Sequence, residues 1–158
     1  MPEVEELRAG EPAQVVLENA RRKASAGAAL AGADAMVLGV DTDVALDGRL
    51  LGKPSDEAGA RRRLEQLSGR THEVLSGVWL AGAGGDRNGV ARTEVRFREL
   101  DPALVDLYVA SGEWRDRAGG YAIQGLGSVL VGALQGDFSN VVGLPIALLL
   151  QLAPNLLE

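Results

Sequence analysis

The chain has 158 residues, of which 46% are hydrophobic and 24% are charged. This length and balance predict one folded domain over residues 1–158 that buries about two-thirds of the surface of its unfolded chain. The formal net charge of -6 repels polyanions over long range, which argues against nucleic acid as a main partner. The sequence has no cysteine, so disulfides, thiolate nucleophiles and cysteine-ligated zinc are excluded.

The N-terminal segment, Met1–Glu6, is acidic. It has neither the basic region nor the apolar stretch of a secretory signal, and no apolar run of about 18 residues follows. The simplest expectation is a cytoplasmic protein that does not enter a membrane.

The first predicted element is a helix. Pro12 suits a first helical turn, and the run Ala13–Leu30 is rich in good helix formers. Within this run Val15, Asn19 and Lys23 follow one another at helical spacing.

A strand and a hairpin are predicted next. Ala35–Val40 is a short apolar run that leads into Asp41-Thr42, which is typical of a buried strand with polar side chains at its carboxyl end. Ligands of α/β sheets usually bind at that end. The segments Val44–Leu46 and Arg49–Leu51 flank Asp47-Gly48, a dipeptide that favours a two-residue turn. A hairpin beside a buried strand predicts a mixed sheet.

Alternating strands and capped helices continue to the end of the chain. The predicted segments are a helix from the N-cap Ser55 to Leu67, strands over Thr71–Ala81 and Ala91–Phe97, a helix from Asp101-Pro102 to Ser111-Gly112, a strand over Ser128–Leu134 and a helix over Pro145–Leu152. This order predicts a single α/β domain with a mixed, twisted central sheet flanked by helices.

The strongest chemical constellation is Asp41-Thr42 followed by Lys53. A carboxylate accepts a proton from water or holds a divalent cation, and a lysine neutralises phosphate oxygens, so the pair favours phosphoryl chemistry. The alternative is that Asp41 caps a turn while Lys53 is a solvated surface charge. These residues alone leave both interpretations open.

Three further features are weaker. Gln124 lies in the glycine-rich segment Ala118–Gly125, where its amide can pair with a nucleobase edge. His72 is the only histidine, and a packed polar residue is the more ordinary interpretation. Arg61–Arg63 occupy successive helical positions that do not share one face, which favours a solvated surface over an anion clamp.

Five segments together resemble the Maf family in order and spacing: Gly39–Thr42, Leu51–Pro54, Leu67–Val74, Gly119–Gly125 and Gly136–Pro145. The resemblance implies the fold of Maf and inosine triphosphate pyrophosphatase proteins. It also implies a nucleoside triphosphate pyrophosphatase, which splits a nucleotide between its α and β phosphates into a monophosphate and pyrophosphate.

The resemblance also implies roles for individual residues. Asp41 matches the proton acceptor, Lys53 a catalytic phosphate contact, and Glu6 a carboxylate that holds a metal or positions water. Glu6 and Asp41 would bind Mg²⁺ or Mn²⁺. Thr42 and Gln124 match positions linked to base selection, and a threonine after the aspartate is typical of the branch that acts on dTTP and UTP. Relatives of this kind suggest a homodimer.

Two departures from the family pattern temper these expectations. Family members open with a strand and a Ser-x-Ser-Pro-Arg-Arg-like loop, which would precede Met1, so the domain is expected to be N-terminally truncated or its start misassigned. Because that loop binds the triphosphate in family members, the alternative function is a catalytically impaired nucleotide-binding or regulatory protein. Asp43 replaces a usually apolar residue and adds a carboxylate close to Asp41.

Overall fold

A computed structural model describes residues 4–32 and 34–157. Its helices are α1 (Pro12–Ala28), α2 (Glu57–Leu67), α3 (Pro102–Ser111), α4 (Phe138–Val142) and α5 (Ile146–Leu152), with short 3₁₀ helices at Ala118–Gly120 and Gly125–Leu130. Its strands are β1 (Val37–Leu46), β2 (Arg49–Leu50), β3 (Thr71–Ala81), β4 (Arg87–Phe97) and β5 (Val131–Gln135). The predicted α/β domain is confirmed.

The five strands form one sheet in the order β2-β1-β3-β4-β5. Every pairing within the described ranges is antiparallel, where we expected a mixed sheet. The expectation took the run before Asp41 for a separate buried strand. Instead that run belongs to one long strand, β1, which extends up to the hairpin turn predicted at Asp47-Gly48, where both residues have positive φ.

Strand β1 does not end at Asp41, as we expected, but runs on to Leu46. Strand β3 is 11 residues long and pairs with β1 from Val37 to Ala45, so the hydrogen-bonded pairing of β1 continues past Asp41. Asp41 therefore lies in the middle of β1, directly opposite Gly77 of β3. Its side chain therefore projects from the face of the sheet and not, as we expected, from the end of a strand.

Helix α1 packs directly on strands β1 and β3, and two glycines make this approach possible. A Cβ added to Gly39 would lie 2.1 Å from the carbonyl oxygen of Ala20, and one added to Gly77 would lie 2.2 Å from that of Val16. No side chain fits between backbones at such distances. Both glycines allow α1 to lie close to the sheet, where Asn19 and Lys23 of the helix reach Asp41.

The larger hydrophobic core lies between the sheet and helices α2 and α3. Its most deeply buried side chains are Leu64, Leu67, Val95, Phe97, Tyr108 and Leu130. His72 belongs to this region, 2% exposed, with its Nε2 atom 2.7 Å from the hydroxyl of Tyr121. The sheltered position agrees with the interpretation of His72 as a packed polar residue.

Several predicted boundaries shift by a few residues. Helix α2 is capped by Asp56, whose carboxylate accepts from the backbone N–H of Gly59, rather than by Ser55. Strand β5 begins at Val131 because the preceding glycine-rich residues form a 3₁₀ helix. In the part of the chain that the structure covers, none of the helices combines the length and apolarity that crossing a membrane requires.

Gly77→Ala tests the contact between α1 and β3. The new methyl group would overlap the backbone of Val16, so we expect the free energy of unfolding to fall by about 3 kcal/mol or more in urea titrations. Gly84→Ala is the matched control, because nothing lies within 4 Å of the added methyl group. Equal stability of the two variants would contradict the packing described.

The burial of His72 predicts a pH dependence of stability. Burial lowers the pKa of this imidazole from 6.5 to about 4, so the unfolded chain binds more protons between those values. The stability advantage of the wild type over His72→Gln is therefore full above pH 6.5. It should shrink by about 3 kcal/mol as the pH falls to 4. Urea unfolding of both proteins across this range measures the difference, and parallel pH curves would contradict the prediction.

Candidate active site

The carboxylate of Asp41 is held by two side chains of helix α1. Asn19 donates from Nδ2 to Oδ2 at 3.0 Å, and Lys23 donates from Nζ to Oδ1 at 2.6 Å. The two donors are four residues apart, so they lie on the same face of the helix. Asp41 is only 9% exposed, and each oxygen still has a lone pair for a water molecule.

The amide of Asn19 also fixes the segment that precedes α1. Its Oδ1 atom accepts from the backbone N–H of Leu7 at 2.7 Å, and its Nδ2 donates to the carbonyl of Leu7 at 3.0 Å. Asn19 is 2% exposed, so these bonds are sheltered from water. They place the neighbouring Glu6 beside Asp41.

Lys23 bridges the carboxylates of Glu6 and Asp41. Its Nζ atom lies 2.7 Å from Oε1 of Glu6 and 2.6 Å from Oδ1 of Asp41. Burial alone would lower the pKa of Lys23, but the hydrogen bonds to Asp41 and Glu6 outweigh it and leave the pKa raised. The lysine therefore stays charged, and the two carboxylate oxygens converge on one cation-sized position.

These residues line a cavity of about 660 Å³, within the range of about 300–1,000 Å³ that is usual for ligand pockets. Every residue of the predicted site borders it: Glu6, Asp41, Thr42, Lys53 and Gln124. The structure thus brings all five together around one space.

Lys53 reaches the cavity from the loop that follows β2. The backbone N–H of Leu51 donates to the carbonyl of Val44 at 2.9 Å, and the N–H of Gly119 donates to the carbonyl of Gly52 at 2.8 Å. Lys53 itself is exposed. The backbone of the loop is therefore held by hydrogen bonds, while the side chain of Lys53 is exposed to solvent at the edge of the cavity.

The glycine-rich segment that carries Gln124 packs against the same loop. Gly119 has a φ of 67°, and a Cβ there would lie 2.8 Å from a methyl carbon of Val44. Two buried hydroxyl groups support the following residues, since Tyr121 contacts His72 and Tyr108 accepts from the N–H of Ala122 at 3.0 Å. Gln124 remains exposed at the rim.

Thr42 lies on the opposite side of β1 from Asp41. Its hydroxyl is 2.7 Å from the hydroxyl of Ser76 on β3 and 3.4 Å from the carbonyl of Gly143. These contacts connect the cavity to the turn between α4 and α5. The side chain is half-buried and its hydroxyl already has protein partners, so its orientation is set before any ligand binds.

Asp43 adds another acidic group to the lining of the cavity. Burial is the main reason that its pKa is raised, and the negative charge of Asp41 adds to the effect. The backbone N–H groups of Val44 and Gly52 and the charge of Arg63 oppose it. Burial and the charge of Asp41 together outweigh these opposing effects, so the carboxyl group of Asp43 binds a proton more readily than a free aspartate does.

The basic side chains of the lining differ in whether they are paired. Lys23 is shared by two carboxylates, whereas Arg8, Lys53 and Arg117 make no ion pair with any described residue. Three unpaired cations around one opening create a positive potential that favours an anion over a cation there.

Sequence reasoning missed Asn19, Lys23, Arg8 and Arg117. For Asn19 and Lys23 the sequence contained a signal. They follow Val15 at intervals of four residues, which places them on the same face of α1 as Val15, and that face is buried. Buried polar residues need partners, so their position on that face indicated a polar group on the sheet beneath. Arg8 and Arg117 lie in irregular segments whose approach to the cavity depends on tertiary structure.

Lys23→Met tests the bridge between the carboxylates. It would leave Asp41 and Glu6 facing each other without a cation, and we expect the free energy of unfolding to fall by about 1–2 kcal/mol, between the values for exposed and fully buried pairs. Arg21→Met, which removes an exposed cation paired with Glu18 on the same helix, should lower the free energy of unfolding clearly less, because solvent screens that pair. Urea unfolding measures the stability of both variants. An equal loss of unfolding free energy in the two would contradict the bridge.

Comparison with known proteins identifies relatives of this chain. The model of the family described as Maf-like protein matches residues 1–156. A dTTP/UTP pyrophosphatase of Deinococcus radiodurans is 47% identical over 150 residues, which cover 95% of this chain and 76% of that protein. A dTTP/UTP pyrophosphatase of Methylococcus capsulatus is 49% identical over 146 residues, covering 91% and 72%.

A third relative aligns over a shorter region. A dTTP/UTP pyrophosphatase of Pyrococcus furiosus is 47% identical over 116 residues, which cover 73% of this chain and 61% of that protein. These alignments thus span between 61% and 76% of the length of the three relatives. On the family match and these identities, the chain belongs to the Maf-like protein family.

Proposed function

We propose that this chain hydrolyses nucleoside triphosphates between the α and β phosphates to give a nucleoside monophosphate and pyrophosphate. One observation carries the proposal. The carboxylate of Asp41 is fixed by Asn19 and Lys23 at the wall of a cavity that Lys53 and Gln124 also line. A proton acceptor, a phosphate-binding cation and a base-contacting amide thus surround one space.

The charge distribution supports a triphosphate as the ligand. Arg8, Lys53 and Arg117 line the cavity without an ion pair in the described part of the chain. A triphosphate carries several negative charges, and binding it would satisfy these three cations together. A neutral ligand would leave them unpaired at the opening.

Asp41 has the position required of a proton acceptor. Asn19 and Lys23 hold its oxygens in place, so an attacking water can donate to a carboxylate that does not need to reorganise. As the water oxygen forms its bond to phosphorus, the bridging P–O bond breaks and the water proton passes to Asp41. Lys53 stabilises the negative charge that develops on the phosphate oxygens.

Glu6 and Asp41 fit a divalent cation. Lys23 bonds only one oxygen of each carboxylate, Oε1 of Glu6 and Oδ1 of Asp41, so other lone pairs of the two groups remain for a cation. Among the described residues no group of three or more acidic or histidine side chains could hold a metal unaided. Mg²⁺ usually takes only one or two carboxylates together with water and substrate phosphates, so the pair suffices for an ion that binds with the nucleotide. When bound, it would neutralise phosphate charge.

For the substrate we propose dTTP and UTP. Three relatives that are 47–49% identical to this chain carry the name dTTP/UTP pyrophosphatase. Thr42 and Gln124, which the family resemblance links to base selection, both border the cavity. The bonds of the Thr42 hydroxyl to Ser76 and Gly143 hold one of these residues in a fixed orientation.

Asp41→Asn tests the reaction. An amide cannot accept the water proton, so we expect kcat for pyrophosphate release from UTP with Mg²⁺ to fall by about 10³-fold or more. Asp47→Asn is the matched control. It removes the same charge from an exposed hairpin turn, and asparagine tolerates the positive φ found there. Its kcat should stay within about twofold of the wild type.

Two results would contradict the proposal. One is unchanged turnover by Asp41→Asn. The other is absence of metal-dependent turnover of any nucleoside triphosphate by the wild type. Nucleotide binding without turnover would instead support the alternative of a binding or regulatory protein.

A further inference from the structure

The loop that carries Lys53 is held by a side chain outside the cavity. Nη2 of Arg63, in the middle of α2, donates to the carbonyl of Leu51, two residues before the lysine. The N–H of Leu51 is bound by Val44 of β1, so both peptide groups flanking Leu51 have fixed partners. Arg63 therefore anchors the base of the lysine loop.

The same contact extends to the segment that carries Gln124. The carbonyl of Gly52, next to Leu51, accepts from Gly119 at 2.8 Å. A Cβ on Gly120 would lie 3.5 Å from Cβ of Arg63, so the side chain also packs under this segment. The loop thus contacts the guanidinium of Arg63, and the glycine-rich segment packs against the Cβ of the same residue.

The charge of Arg63 also acts on Asp43. This half-buried carboxylate lies beside the backbone N–H of Gly52, and the positive charge of Arg63 weakly favours its ionised form. Among the described residues no ion pair joins Arg63 to Asp43, so the hydrogen bond to the carbonyl of Leu51 is the main contact of the guanidinium with the loop. An apolar side chain in its position could not donate that bond.

The two neighbouring arginines of α2 do not share this role. Arg61 pairs with Asp106 of α3 at 2.6 Å, and Arg62 is exposed. The sequence pattern predicted a solvated surface for all three arginines, and this prediction is wrong for Arg63, which is half-buried and bound to the loop. Successive helical side chains point about 100° apart, so only one of the three reaches the loop.

We propose that Arg63 is a positioning residue of the active site, which fixes the backbone of the Lys53 loop and, through the bond between Gly52 and Gly119, the segment leading to Gln124. The proposal rests on the proposed function, because it assumes that Lys53 and Gln124 bind the nucleotide. Arg63 itself does not line the cavity. Its loss should weaken nucleotide binding more than it slows the chemical step.

Kinetics of Arg63→Ala and Arg62→Ala provide the first test. With UTP and Mg²⁺ we expect Arg63→Ala to raise KM about tenfold while kcat stays within about threefold. Arg62→Ala, which removes the same charge from the adjacent exposed position, should leave both parameters within about twofold. Arg63→Lys keeps a cation with a donor and should recover part of the loss. Equal kinetics of the two alanine variants would overturn the proposal.

Hydrogen exchange tests the proposal independently of activity. In Arg63→Ala the amides of residues 51–52 and 119–120 should exchange at least about tenfold faster than in the wild type, while those of β3 keep their protection. In Arg62→Ala the exchange rates of all these amides should match those of the wild type. If Arg63→Ala is globally unstable, Arg63→Lys is measured in its place. Unchanged exchange at residues 51–52 would overturn the role of Arg63, whether or not the wild type turns over nucleotides. The proposed function is contradicted by a different result, the absence of turnover by the wild type.

Discussion

The close approach of helix α1 to the sheet is the constraint on which the active site depends. Gly39 and Gly77 leave no side chain between the helix and the sheet, so the backbone of α1 rests against β1 and β3. Gly77 is the residue paired with Asp41, and the contact therefore lies beside the carboxylate. At this distance Asn19 and Lys23 reach its two oxygens. Packing, rather than a loop conformation, sets the geometry of the proposed proton acceptor.

Charges around the cavity are divided between structure and binding. Lys23 is satisfied by two carboxylates and serves to hold them, whereas Lys53 stands exposed on a rigid loop. A buried ion pair contributes orientation more reliably than net stability, which suits a residue that fixes a catalytic group. An exposed cation is screened by water until a multivalent anion displaces that water. The arrangement thus keeps the acid–base group ordered in advance and leaves the phosphate contacts to form with the substrate.

Much of the fold could be predicted because its features are local. Capping residues, the Asp47-Gly48 turn and strand alternation indicated most of the elements, and the motifs indicated Asp41 and Lys53. The antiparallel order of the sheet was missed, since pairing partners are distant in sequence. The contribution of α1 was missed for the same reason, because the partner of Asn19 and Lys23 lies 18–22 residues away on another element. Local patterns report which residues are unusual, and only tertiary structure reports what they contact.

The central claim is that Asp41 and Lys53 act on one triphosphate within one cavity. A crystal structure of the Asp41→Asn chain with a non-hydrolysable α,β-imido analogue of UTP and Mg²⁺ tests it most directly. The account predicts the phosphate chain between the two side chains, with Lys53 contacting its oxygens and an ordered water beside residue 41. An analogue bound elsewhere on the molecule, or one whose phosphates leave Lys53 in solvent, would contradict it.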